Sequence, residues 1–222
     1  TTAIIALTGN DPIAAYFNIA QGAVGSPNVA ANVVVSWVPL LLVVSGVLFT
    51  FTVGLWNIGI EGQITLGAIF ATWAMRLLQD SAMAPGWIIA ASVAAGILGG
   101  VLWALLAGAL KTFGGVNEIF GGLGLNFVAT ALNLWLIFGP WKRPGVASMS
   151  GTEVFPTTLW LPLQGTINIP PIGIGLALAA IALTALLLIY TRFGLELKAV
   201  GNNPQAARRF GLIPGRVMLL GM

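Results

Sequence analysis

Between Asp11 and Arg76 the chain carries a single charged residue, Glu61, within Trp56-Asn57-Ile58-Gly59-Ile60-Glu61-Gly62-Gln63. A carboxylate at the centre of a membrane helix costs about 2.5–3.5 kcal/mol. Glu61 therefore needs a partner, water or a proton. Gly59 and Gly62 weaken a helix here, and Asn57 is suited to cap a new one. The stretch is expected to break one helix from the next, leaving backbone groups that only protein or water can satisfy. Two readings are open. The stretch is an interfacial turn with Glu61 in headgroup water, or it places Asn57, Glu61 and Gln63 beside a translocation path or a helix-break joint.

A second set follows Asn117. At about 100° per residue, Glu118, Gly122, Asn126, Thr130 and Asn133 fall within a stripe of roughly 120° on one helix face. A polar face on a membrane helix turns away from lipid. It hydrogen-bonds a neighbouring helix, at about 0.6–2 kcal/mol per contact, or it lines a polar cavity.

A third set lies in GLELKAVGNNPQAARRFGLIPGRV, residues 194–217. Asn203 fits an N-cap, Pro204 a first helical turn and Gly211 a C′ position, with a short helix over Gln205–Phe210 between them. Arg208 and Arg209 stand where the helix dipole favours cations. Such a capped basic helix binds lipid headgroups or docks a cytoplasmic partner.

None of this is enzyme chemistry. The chain has no His and no Cys, which removes the commonest general base, the commonest metal ligand and any disulfide. No zinc motif and no G-x-x-x-x-G-K-[ST] phosphate loop occur. No catalytic residue, metal or cofactor is expected.

The elements that hold these residues follow from composition. Of 222 residues 58% are hydrophobic and 7% charged, against about 25% charged in an ordinary soluble domain. Mean hydropathy is +0.97. The lipid bilayer is the natural solvent for such a chain, and its net charge of +3 gives no reason to expect nucleic acid. A span needs about 20 apolar residues. Candidate spans lie at 33–54, 64–79, 86–110, 118–138 and 171–190, giving an all-α, polytopic transmembrane helix bundle. Segments 11–32 and 139–170 read as connections. The opening TTAIIAL and closing VMLLGM look like parts of further apolar segments, so the 222 residues are expected to be the partial core of one larger membrane domain.

Loop 191–216 holds Arg192, Lys198, Arg208, Arg209 and Arg216 against one acid, Glu196. That cluster belongs in the cytoplasm. Lys111 and the Glu61 stretch then face the same side. Segments 11–32 and 139–170 face outward, although the latter carries Lys142 and Arg143. Within 86–110, Gly96, Gly100, Ala104 and Gly108 give one face for close helix approach.

Three stretches together resemble a known family: NIGIEGQITLGA at 57–68, VNEIFGGLGLNFVA at 116–129 and ELKAVGNNPQAARRFGL at 196–212. They are similar to the permease subunits of ABC importers for nucleosides and simple sugars, within the superfamily of branched-chain amino-acid and ribose-type permeases. The last stretch looks like the coupling segment E-A-A-x-x-x-G, with Gln205 in place of the usual Glu. The resemblance implies that Asn203, Pro204, Gln205, Ala206, Ala207, Arg208, Arg209 and Gly211 couple to cytoplasmic ATP-binding subunits. It further implies a second permease subunit, identical or homologous, and an extracytoplasmic substrate-binding protein. ATP hydrolysis would sit on a separate chain, and the location would be the cytoplasmic membrane. The WNIGIEGQ form looks closer to the nucleoside branch. A rival reading, an ion-gradient-driven transporter using Glu61 and Glu118 as ion sites, leaves the basic helix at 203–211 unexplained. A non-transporting membrane scaffold is a further alternative.

Overall fold

A computed structural model describes residues 2–9, 11–145, 151–161 and 170–222. Among them every regular element is helical, apart from one isolated bridge between Lys142 and Thr152. The chain divides into two units, Thr1–Val44 with Leu161–Ala182, and Ser45–Trp160 with Leu183–Met222.

The first unit holds α1 (Thr2–Leu7), α2 (Pro12–Val24) and the first parts of α3 (Pro27–Thr52) and α7 (Pro171–Tyr190). Segment 11–32, read as a connection, is largely helical. Its start signal is Asp11-Pro12: the Asp11 carboxylate accepts the Ile13 N–H at 2.8 Å and Pro12 opens the first turn. Ser26-Pro27 acts likewise for α3, the Ser26 hydroxyl accepting from the Val29 N–H at 3.3 Å, so α3 begins ahead of residue 33. Part of the expected loop 139–170 lies outside the described residues.

The second unit is built on α4 (Ile60–Leu78), α5 (Pro85–Thr112) and α6 (Glu118–Phe138), followed by α8 (Arg192–Asn202), α9 (Pro204–Arg209) and α10 (Pro214–Gly221). Helices α3, α5, α6 and α7 are each long and apolar enough to cross a membrane. Helix α4 is not among them; its 19 residues carry Glu61 in the first turn and Arg76 in the last. Large apolar side chains such as Leu98, Leu102, Phe127 and Trp135 point outward. That is stable in lipid and costly in water.

Small residues bring the backbones together. A Cβ on Gly67 would lie 3.1 Å from the Gly96 carbonyl oxygen, and one on Gly99 would lie 2.7 Å from that of Leu66. The small-residue face of α5 serves two neighbours. Gly96 and Gly100 meet α4, while Gly108 meets Leu219 of α10. Leu66, Ile69 and Ala129 form one core, with Phe70, Trp103, Leu132, Leu136 and Trp141 against it. A second core gathers Val53 and Leu55, just after α3, with Leu197 and Val200 of α8, Ala207 of α9 and Val217 of α10.

Candidate functional site: the helix break and the capped basic helix

The chain breaks between α3 and α4 as its glycines require. Gly54 has φ +82°. The Gly54 and Leu55 N–H groups donate back to the Phe51 and Thr50 carbonyls at 3.1 and 2.8 Å, which closes α3 in a Schellman turn. Burial then alternates along the linker: Val53, Leu55, Asn57 and Gly59 are buried, whereas Gly54, Trp56 and Ile58 are exposed.

Asn57 does not cap α4. Gly59 occupies that position and supplies no side-chain cap. The Asn57 amide, 8% exposed, instead faces the Gln63 amide, with N–O separations of 3.5 Å in both senses. The cap comes from another helix. Asn126 of α6 accepts the Gly62 N–H on Oδ1 at 2.8 Å and donates from Nδ2 to the Ile58 carbonyl at 2.9 Å. One side chain thus satisfies a backbone acceptor before the break and a backbone donor after it.

This reach depends on contact between backbones. A Cβ on Gly122 would stand 2.7 Å from the Gly59 nitrogen. One on Gly62 would stand 2.7 Å from the Trp103 indole nitrogen and 2.9 Å from Asn126 Oδ1. The Trp103 Nε1–H is buried here without a hydrogen-bond partner.

The polar stripe on α6 divides. Gly122 and Asn126 face α4, Asn133 is half-buried, and Thr130 is exposed, its neighbour Ala129 taking the buried position. Glu118 turns back to Lys111 of α5, forming a 2.6 Å ion pair. It stands after Asn117, which caps α6 by accepting from the Ile119 and Phe120 N–H groups. Glu61 is exposed in the first turn of α4, where the helix dipole favours a carboxylate.

Segment 191–216, read as a loop around one short helix, holds two helices and the start of a third. Thr191 caps α8 through the Gly194 N–H at 3.3 Å. Gly194, Leu197 and Val200 recur every third residue on its buried face. Asn203 then ends α8 and caps α9, its Oδ1 accepting from Gln205 and Ala206 N–H at 3.0 Å each. Helix α9 closes at Phe210, with Gly211 at φ +85°. The Gly211 and Leu212 N–H groups return to the Arg208 and Ala207 carbonyls, a second Schellman turn. Ala207 is buried, while Pro204, Gln205, Arg208, Arg209 and Phe210 face outward, Phe210 at 87% exposure. An open depression of about 430 Å³ is lined by Pro204, Gln205, Arg208 and Arg209.

The break and the basic helix are therefore joined. Ala207 shares a core with Val53 and Leu55, and two residues after Leu55 the Asn57 amide begins the polar cluster. Sequence reading did not anticipate this link, because nothing local in either segment marks the other as its neighbour. It also missed the Lys111–Glu118 pair, whose signal was two opposite charges flanking the turn at Gly114-Gly115.

Residues 29–222 match the family described as branched-chain amino acid transport system permease component. Among curated relatives, the glucose ABC transporter permease protein TsgB13 of Haloferax volcanii is 35% identical, over 91% of this chain and 55% of the relative. The nucleoside ABC transporter permease protein NupB of Lactococcus lactis subsp. cremoris is 27% identical, over 99% of this chain and 62% of the relative. The guanosine ABC transporter permease protein NupQ of Bacillus subtilis is 26% identical, over 83% and 59%. The chain thus spans little more than half the length of these relatives. No solved structure matches it. These similarities and the four apolar helices make it a multi-pass protein of the cell membrane.

Proposed function

Because the chain belongs to the family of branched-chain amino acid transport system permease components, we propose that it is a permease subunit of an ATP-driven importer. It carries nucleosides or simple sugars inward across the cytoplasmic membrane. The observation that carries this reading is the doubly capped α9, its outer face basic and its Ala207 set in the same core as the linker that leads to the break. A helix so fixed can receive a push from a cytoplasmic ATP-binding subunit and pass it to residues 53–63. Gln205, Arg208 and Arg209 face that subunit. Asn203, Pro204 and Gly211 hold the helix ends, and Ala206 and Ala207 seat it.

At the break, Asn57 and Gln63 carry neutral amides, which suit an uncharged polar solute better than a full charge does, and Asn126 holds the backbone that carries them. Glu61 lies at the rim. A second permease subunit completes the pathway, and an extracytoplasmic binding protein delivers the solute. Glu118 is committed to Lys111, which leaves it poorly placed as the ion site of a gradient-driven transporter.

The test is uptake of labelled uridine and labelled glucose by cells carrying the full-length protein with its partner subunits, with and without an inactivated ATP-binding subunit. Uptake of either solute that requires the active ATPase supports the reading. Uptake that survives ATPase loss and collapses with an uncoupler defeats it.

A further inference from the structure

At the end of α4 away from α9, Arg76 is held in an unusual way. Its guanidinium lies 5.3 Å from the Trp141 ring centroid and 5.9 Å from that of Phe155. Its Nε and Nη2 are buried and make no hydrogen bond. No carboxylate is within ion-pair distance; the one ion pair among the described residues is Lys111–Glu118. Yet Asp80 and Glu153 line the same open cavity of about 330 Å³ as Arg76, together with Gln79, Val154, Phe155 and Pro156.

The main chain beside both rings is tied down: the Trp141 backbone N–H donates to the Leu136 carbonyl at 2.8 Å, and the Phe155 backbone carbonyl accepts the Trp160 indole N–H at 3.0 Å. The rings hold the cation by cation–π attraction, and it makes no ion pair with either acid. A cation, two carboxylates and an amide are thus held around one space without using one another up.

We propose that this cavity is a binding site for an uncharged, hydroxyl-rich solute, the class to which nucleosides and hexoses belong. The charged lining is one cation against two carboxylates, which disfavours an anion, while Arg76 disfavours a small cation. A neutral solute with several hydroxyls suits this lining: its O–H donors go to Asp80 and Glu153, and its oxygens accept from the Gln79 amide, beside the Arg76 cation, whose Nε and Nη2 are themselves buried. The volume falls within the usual range for small-molecule sites, about 300–1,000 Å³. This inference rests on the transport reading above. It adds a holding site at the mouth opposite the basic helix, distinct from the amides at the break.

The experiment uses the full importer in nanodiscs. These 222 residues have no cysteine, so Val154→Cys puts one thiol among them at the exposed cavity lining, and its labelling is read on the peptide that carries residue 154. Uridine and glucose should each be tried for slowing maleimide labelling of that thiol, with sulfate as the anionic control. Saturable protection by one of the neutral solutes, and none by sulfate, is expected. In ATP-driven uptake, Asp80→Asn and Glu153→Gln should each raise KM about tenfold with kcat unchanged. Unprotected labelling, or wild-type KM in both variants while ATP-driven uptake persists, overturns the site and leaves the transport reading intact. Variants that instead raise only the amount of binding protein needed for half-maximal uptake assign the cavity to protein docking, which also overturns it. Absence of ATP-driven uptake in the unmodified protein defeats the transport reading itself, whereas the labelling result stands alone.

Discussion

Asn126 grips the backbone on both sides of Gly59, accepting the Gly62 N–H at 2.8 Å and donating to the Ile58 carbonyl at 2.9 Å. A residue 64 positions further along the chain thereby does for α4 what a local cap does for an ordinary helix. Asn126→Leu would unpair the Ile58 carbonyl and leave the Gly62 N–H buried and unpaired, the latter at about 1–3 kcal/mol. The expected result is a lower melting temperature in detergent together with impaired uptake. An unchanged melting temperature would show that Asn126 is not the cap of this break.

Gly122→Ala and Gly124→Ala form a matched pair. The new methyl on Gly122 would stand 2.7 Å from the Gly59 nitrogen and force α6 off α4, whereas Gly124 has open space. Gly124→Ala should be neutral or slightly stabilising, since alanine is favoured over glycine in a helix by about 1 kcal/mol. Gly122→Ala should lose stability and uptake together. Equal behaviour of the two would contradict the close approach.

At α9, Ala207→Glu drives a carboxylate into the core of Val53, Leu197 and Val200, and should stop the ATP-binding subunit from being stimulated by transport. Phe210→Ala is the contrast. Its ring is 87% exposed, so stability should hold while association with the ATP-binding subunit, read by co-purification, weakens severalfold. Full co-purification of Phe210→Ala would show that this ring is not part of the docking face.

Glu118→Gln removes the partner of Lys111. The pair is only partly buried, so the expected cost is about 1 kcal/mol. The double exchange Lys111→Glu with Glu118→Lys should recover most of it. Uptake by Glu118→Gln should stay ATP-dependent and insensitive to an uncoupler. Sensitivity that depends on Glu118 would revive an ion-coupled mechanism.

Much of this was legible in the sequence. Asn203-Pro204 and Gly211 marked the ends of α9 because caps are local, written in a few adjacent residues. The polar stripe on α6 was visible by helical periodicity, and Asn126 was singled out within it. Its partner was not, since a hydrogen bond across 64 residues leaves no trace in spacing. Asn57 was misassigned for the same reason: its cap role was taken by a residue on another helix. Thr130 obeyed the period yet fell outside the contact, because Ala129 fits against α4 and a 120° stripe is wider than the seam. Arg76 stood in the sequence only as the charge that ends the apolar stretch after Asp11, and its ring partners lie on a segment with no periodic pattern.

The glycine contacts have one more consequence. Gly59 on Gly122, Gly67 on Gly96, and Gly99 on Leu66 bring α4 and the turn before it into main-chain contact with both neighbours. Nothing the width of a sugar ring can thread between helices whose main chains already touch. These three helices are masonry rather than tube. On the proposed transport role, a solute's path would run along their outer surface, against whatever other surface faces it.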